Sequence, residues 1–283
     1  MMRYRRIVNI VFTISLLLVT AIAGAQKGSG NLFIIGGGER STALMQELLN
    51  TASLAGDDYI VVLTMASGVP DESYEAISKQ LGTLCKNVVT KFHFTQQEAK
   101  DKKAWIDSVA NARLIYIVGG DQNRFMDVVR ATPLYEAMHT AFNGGATVAG
   151  TSAGAAVMSQ IMITGEERDK KDNNNFREIR KGNVITSEGM GFVSKAIIDQ
   201  HFVKRSRYNR LLSVLGDHPD KMVIGIDEST AVIVKGKRVR VVGESQVVVV
   251  SHPGKVKVFN GDKIAFQNAK LALYSAGDTF KLK

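Results

Sequence analysis

A serine set between glycines, Gly150-Thr151-Ser152-Ala153-Gly154, constrains this chain more than any other stretch. It follows a short apolar run at 146–149 and precedes a segment whose composition predicts helix over 153–163. A strand that turns sharply into a helix leaves no room for side chains on either side of the turn, so the pattern G-x-S-x-G places glycine there. The geometry aims the hydroxyl into a cleft. It also presents the next backbone N–H, that of Ala153, to an oxyanion at the positive end of the helix. Taken alone, the pattern equally fits a tight βα turn in which Ser152 only caps the helix. The remainder of the chain decides between the two.

The segments around the serine alternate. Residues 32–35 form an apolar strand ending in Gly36-Gly37-Gly38, and a helical stretch runs over 41–52. Residues 59–64, 88–94 and 114–118 are further β-rich runs, while 71–84 carries Tyr74, Ile77, Leu81 and Leu84 on one helical stripe. Strands alternating with helices predict an α/β fold: a mostly parallel sheet with helices on both faces. The carboxyl ends of such strands form the ligand crevice. The turn Gly119-Gly120-Asp121-Gln122 should therefore face the same cleft as Ser152. The triple glycine lacks a G-x-G-x-x-G continuation and a Walker lysine, which makes it a weak nucleotide site. Residues 166–183 are too polar to pack and read as a solvated loop, placed to act as a lid. Five β-rich runs (231–234, 238–242, 247–250, 256–259 and 271–274) predict C-terminal hairpins packed on the end of the main sheet.

The chain opens with Met1-Met2-Arg3-Tyr4-Arg5-Arg6, an apolar run over 7–22 and Ala23-Gly24-Ala25. A basic n-region, an h-region and an A-x-A site make residues 1–25 a signal peptide, with a single mature domain over 26–283. The apolar run is short for a membrane span and carries Asn9, Thr13 and Ser15; an uncleaved anchor is the alternative. No cysteine follows the h-region, which argues against a lipoprotein. The protein reads as exported, periplasmic or extracellular, without stable membrane association after cleavage. The formal net charge is +9, and Arg3, Arg5 and Arg6 belong to the leader. No lysine–aromatic interleaving or nucleic-acid motif accompanies the remaining excess, so nucleic acid is not an expected partner. The single cysteine, Cys85, excludes an internal disulfide and sits on the apolar side of a helical pattern, where it packs.

A second apolar strand end delivers Asp199, Gln200 and His201 in succession. A lone histidine there would read as a satisfied core residue; near a nucleophile elbow it reads as a general base. His93, His139, His218 and His252 lack such company and read as structural or exposed. Arg205, Arg207 and Arg210 lead into a helical pattern from Leu211. Cations at a helix N-terminus oppose its dipole at about 0.3–1 kcal/mol each, so the series points to recognition of a carboxylate over a solvated face. A third strand, from Val223, ends in Asp227 and Glu228. A serine–histidine pair needs an acid to fix the imidazole tautomer. Glu228 is favoured, with Glu166, Glu167 and Asp227 as rivals.

In this order the elbow, the Gly119–Gln122 turn, Asp199-Gln200-His201-Phe202, the spaced arginines and Gly225-Ile226-Asp227-Glu228 resemble the cyanophycinases. These belong to a serine peptidase family that also includes peptidase E, an aspartyl dipeptidase. The resemblance runs from Leu32 to Gly277-Asp278-Thr279-Phe280. It implies a fold akin to class I glutamine amidotransferases with serine in place of their cysteine, a homodimer, and neither metal nor cofactor. It further implies an exopeptidase acting on cyanophycin, a poly-aspartate with arginine on each side-chain carboxylate, and releasing β-Asp-Arg. By residue match, Ser152 would be the nucleophile, His201 the base and Glu228 the orienting acid. The N–H of Ala153 and one near Gly120 would hold the oxyanion, and Gln122, Asp199, Gln200, Arg205, Arg207 and Arg210 the substrate. The exported N-terminus is unusual beside intracellular storage-granule enzymes. An aspartyl dipeptidase cleaving small Asp-X peptides is the second enzymatic reading. A secreted binding protein of the same fold without activity is a third, and an amidotransferase fails at the nucleophile.

Overall fold

The computed structural model describes residues 29–168 and 178–283. The signal peptide expected at 1–25 and the middle of the polar loop lie outside the described residues. The parallel strands expected from the apolar runs are β1 (Asn31–Ile35), β2 (Tyr59–Leu63), β3 (Val88–Phe92), β4 (Leu114–Ile117) and β5 (Thr147–Thr151). The helices between them are α1 (Thr42–Ala52), α2 (Pro70–Gly82), α3 (Glu98–Asp101), α4 (Lys103–Ala110), α5 (Gln122–Val129) and α6 (Pro133–Asn143). Ser41 caps α1 by accepting the Leu44 N–H at 3.3 Å, and Asp121 caps α5 in the same way through the N–H groups of Asn123 and Arg124. Pro70 and Pro133 open α2 and α6 at the first turn, where a missing N–H costs nothing.

The second half contains α7 (Ala153–Ala156), β6 (Ile161–Glu167), β7 (Val184–Glu188), β8 (Ala196–Gln200), α8 (Tyr208–Asp217) and β9 (Met222–Ile226). It ends with β10 (Thr230–Lys235), β11 (Arg238–Gly243), β12 (Val247–Ser251), β13 (Lys257–Val258), β14 (Ile264–Ala265), β15 (Lys270–Tyr274) and β16 (Thr279–Lys281). The main sheet has eight strands in the order β16-β11-β10-β1-β5-β4-β2-β3, with its β1-to-β3 half parallel. Alternation along each central strand fills two core layers. Phe33 and Ile35 of β1 face Leu44, Leu48, Ile77 and Leu81 of α1 and α2, whereas Leu32 and Ile34 face the layer holding Val109, Phe125 and Leu134 of α4, α5 and α6. Helices thus cover both faces, as the alternating pattern predicts. Cys85 packs half-buried against the first of these layers.

Three expectations need correction. The helix after the serine is a single turn, and the residues expected to continue it form β6 instead, paired with β7. Ile161, Ile163 and Thr164 are β-branched and favour the extended chain, a preference that the apolar run concealed. The polar loop also begins later than expected, because β6 continues through Glu167, which pairs with Val184. Finally, the C-terminal strands divide between two sheets. β10, β11 and β16 extend the main sheet beyond β1 through successive antiparallel pairings, but β12 and β15 join β8 and β9 in a second sheet of order β15-β12-β9-β8. That sheet needs partners on both faces, since Ile198, Ile224 and Val249 join the large core layer while Ile197, Val223 and Val250 pack with Leu211 and Val214 of α8.

Candidate active site

The site forms where the carboxyl ends of β1, β4 and β5 meet those of β8 and β9. At the end of β5 the chain reverses through Ser152, whose backbone is left-handed at φ 53° and ψ −109°. Such a conformation is strained for an L residue. The flanking glycines are required by contact: a Cβ on Gly150 would lie 2.2 Å from the Gly154 carbonyl oxygen, and one on Gly154 would lie 2.4 Å from that of Ile117. Ser152 makes no side-chain cap to α7, so the capping explanation for this serine fails. Its Oγ instead lies 2.8 Å from Nε2 of His201.

His201 stands one residue beyond β8, also left-handed at φ 49°. Its Nδ1 lies 2.6 Å from Oε1 of Glu228, one of the two acids that follow β9. With Nδ1–H donating to the carboxylate, Nε2 is left to accept the serine proton, the tautomer that a general base requires. Burial lowers the imidazole pKa below its ordinary value; the Glu228 hydrogen bond pulls the other way, and the charges of Arg205 and Arg207 depress it further. The ring is therefore held neutral and ready to accept a proton near neutral pH.

The rival acids are engaged elsewhere. Asp227 accepts the Lys204 N–H at 2.8 Å and the Ser245 hydroxyl at 2.7 Å, tying two loops together. Burial raises its pKa, but those hydrogen bonds outweigh burial and leave it lowered. Glu167 accepts from the Asn183 side chain at 3.2 Å, and Glu166 follows Gly165 on the exposed part of the β6–β7 hairpin.

Among the other expected site residues, Gly119 rather than Gly120 lies against the nucleophile. A Cβ on Gly119 would stand 3.3 Å from Ser152 Cβ, while one on Gly120 would strike the Ala66 carbonyl. Gly119 thus borders the nucleophile, and Ala153 is the first residue of α7. The first N–H groups of a helix have no intrahelical partner. Gln122 is buried and donates its amide to the carbonyls of Ile163 at 3.0 Å and Thr164 at 2.6 Å, which leaves its own carbonyl oxygen for other partners.

The arginines divide by burial. Arg210 is 3% exposed and grips Asp199, which is 0% exposed, through Nε at 3.0 Å and a second, shorter contact from Nη2. It also donates to Gln200 Oε1 at 3.2 Å. Arg207, half-buried, donates to the Gln200 carbonyl at 2.7 Å, the peptide immediately before His201. Burial, together with the neighbouring Arg210, pushes its pKa down to about 10. Arg205 alone is well exposed. The sequence argument placed all three cations at a helix N-terminus lacking internal compensation. In the structure only Arg210 lies within α8, and the Asp199 carboxylate neutralises it. Asp199, Gln200, Arg207 and Arg210 together brace the strand end that delivers His201.

Sequence reasoning weighs Gly36-Gly37-Gly38 only as a weak nucleotide turn, yet Gly37 lies against His201, Gly38 against Glu228 and Gly36 against the carbonyls of Ile226 and Asp227. Three consecutive glycines at a strand end were the available signal, and their proximity to the other two strand ends could not be read from the chain.

A Ser–His–Glu relay at the carboxyl ends of a mostly parallel sheet defines the class as a serine-type hydrolase. The sequence matches the model of peptidase family S51 over residues 32–242. It is 32% identical over 265 residues to a cyanophycinase of Geminocystis herdmanii, covering 89% of this chain and 94% of that protein. It is 31% identical to a cyanophycinase of a Nostoc species over 263 residues, covering 89% and 85%. A solved peptidase from an acI-B1 actinobacterium superposes with a TM-score of 0.65 at 21% identity, covering 90% of this chain and 98% of that one. A putative peptidase E from Listeria monocytogenes gives 0.54 at 18% identity, covering 77% and 100%. The chain belongs to peptidase family S51, and it is a serine-type peptidase.

Proposed function

We propose that this protein is an exported cyanophycinase that cleaves β-Asp-Arg dipeptides from the end of the polymer through an acyl-enzyme. The observation that carries the reading is the continuous Ser152–His201–Glu228 relay, at 2.8 and 2.6 Å, in a chain that aligns with cyanophycinases along most of its length. His201 Nε2 takes the hydroxyl proton as Ser152 Oγ attacks the scissile carbonyl. The Ala153 N–H and the N–H of the Gly119–Gly120 peptide stabilise the oxyanion. The imidazolium then returns the proton to the departing amine, and the acyl-serine forms. Water enters, gives a proton to His201 and splits the ester, which regenerates Ser152.

The substrate unit carries an arginine α-carboxylate and a guanidinium. Arg205 and the exposed part of Arg207 supply positive charge beside His201 for the carboxylate. In this reading the leader is removed near Gln26, and the mature chain acts as a homodimer in the periplasm or medium. N-terminal sequencing and light scattering on the exported protein test those two parts.

The decisive assay incubates the chain 26–283 with insoluble cyanophycin and, separately, with an Asp-X dipeptide. Release of β-aspartyl-arginine supports the proposal. Cleavage of the dipeptide alone makes the protein an aspartyl dipeptidase. Sedimentation with the polymer but no hydrolysis makes it a binding protein.

A further inference from the structure

At the triple glycine after β1 the backbones of the two sheets meet. Three backbone hydrogen bonds run onto consecutive carbonyls of this segment. The Ser152 N–H donates to Ile35 at 3.0 Å, the His201 N–H to Gly36 at 2.7 Å, and the Ser229 N–H to Gly37 at 2.9 Å. The nucleophile, the base and the residue after the acid are thus registered one carbonyl apart on a single strand end. All three donors are left-handed, at φ 53°, 49° and 55°. Each such conformation is strained for an L residue and persists only where its surroundings fix it.

The glycines also meet the relay's side chains. A Cβ on Gly37 would lie 2.3 Å from His201 Cε1 and 2.5 Å from Nε2, on the face of the imidazole. One on Gly38 would lie 2.6 Å from Glu228 Cβ and 3.0 Å from Oε2. A Cβ on Gly36 would lie 2.1 Å from the Asp227 carbonyl oxygen. No side chain larger than hydrogen fits at any of the three with the relay in place.

We propose that Gly37 and Gly38 are positioning residues: residues 35–38 act as a gauge that holds strand ends from two sheets at relay distance, and the absence of side chains at 37 and 38 lets the imidazole and the carboxylate lie against it. This inference rests on the reading of Ser152, His201 and Glu228 as nucleophile, base and acid. The gauge explains how β5 of one sheet and β8 and β9 of the other align without a shared ladder. A methyl group at 37 drives the ring off its face and lengthens the Ser152 contact. One at 38 displaces the carboxylate from Nδ1.

The test compares Gly37→Ala (φ +109°) and Gly38→Ala (φ +72°) with Gly236→Ala (φ +56°) and Gly277→Ala (φ +94°), two glycines with nothing within 4 Å, so that these two report positive-φ strain alone. A misplacement of about 1 Å costs roughly 10²-fold in rate, so kcat should fall about 10²-fold in both site variants with KM little changed, while Gly236→Ala and Gly277→Ala keep wild-type kcat. Gly38→Ala should also move the acid limb of the kcat/KM profile to lower pH, as Glu228→Gln does, because the hydrogen bond that raises the His201 pKa is lost. In double variants, Gly38→Ala should add nothing to Glu228→Gln, and Gly37→Ala nothing to His201→Ala. Rates matching Gly236→Ala and Gly277→Ala, or losses that multiply in the double variants, overturn the proposal. Failure of both site variants to fold, with Gly236→Ala and Gly277→Ala folded, overturns it in favour of a purely structural role. Retained hydrolysis in Ser152→Ala would instead remove the underlying reading of the relay, whatever the glycine variants do.

Discussion

The strand ends that deliver the nucleophile and the base solve one problem by different means. At the end of β5, Ser152 is held in a left-handed conformation by glycines in its own motif: Gly150 and Gly154 give the close approaches that the turn needs. At the end of β8, His201 is equally left-handed, but no glycine flanks it. The room comes from elsewhere. Gly37 lies beneath the imidazole, and Gly225 on β9 lies beneath the Phe202 ring, where a Cβ would come within 2.3 Å. Arg207 and Arg210 add hydrogen bonds to the preceding Gln200. The elbow is a local device, and the base is set by tertiary contacts.

The largest expected effect, after loss of the nucleophile itself, is on the acid. Glu228→Gln should lower kcat by about 10³–10⁴-fold with KM nearly unchanged, since the wrong imidazole tautomer then dominates. Glu167→Gln should stay near the wild-type rate. A reversal of the two would move the orienting acid to the β6–β7 hairpin. Next comes the brace under His201. Arg210→Met leaves the buried Asp199 with only the Gln200 N–H at 2.8 Å and the longer Arg207 contact at 3.7 Å, and should destabilise the fold by up to about 3–5 kcal/mol, with Asp199→Asn/Arg210→Met recovering part of that in thermal unfolding. An unchanged melting temperature would show that the brace is dispensable and that the base end needs only its glycines.

The glycines of the two ends sharpen the comparison further. Gly225→Ala pushes on the Phe202 side chain and should cost about 1–3 kcal/mol. Gly150→Ala meets backbone and should cost more in the same unfolding assay, because a carbonyl at 2.2 Å cannot rotate away. Equal costs would mean that the elbow is no more rigid than the base end. The smallest effect falls on Arg205, whose charge lowers the His201 pKa from an exposed position. Arg205→Met removes a cation that disfavours the imidazolium, so the pKa rises and the acid limb of kcat/KM moves to higher pH. An exposed charge is worth about 0–1 kcal/mol, which bounds the rate change near neutrality at roughly fivefold. A limb that stays put would detach Arg205 from the site.

The same contrast governs what could be read from the sequence. The parallel strands, their helices and the elbow were legible because each is carried by local periodicity or by a motif with its own steric reason. Glu228 was legible as one of several acids at strand ends, but only the 2.6 Å contact separates it from Asp227, whose carboxylate bonds Lys204 and Ser245 instead. The arginine series was legible as charge and misleading as geometry: the neutralising Asp199 lies on a neighbouring strand, eleven residues before Arg210 in sequence. The split of the C-terminal strands between two sheets left no local trace, since β10 and β12 are both short valine-rich runs. The β6 strand was hidden by an apolar run compatible with either period.

The central claim is that Ser152 is the nucleophile of a relay assembled from strand ends of both sheets. Fluorophosphonate labelling of the chain 26–283, read by intact mass and peptide mapping, tests it most directly. The account predicts one adduct per chain, located on Ser152, abolished in Ser152→Ala and slowed by several orders of magnitude in His201→Ala, in parallel with loss of β-aspartyl-arginine release. An adduct on another serine, or cyanophycin hydrolysis that persists in a folded Ser152→Ala variant, would contradict it.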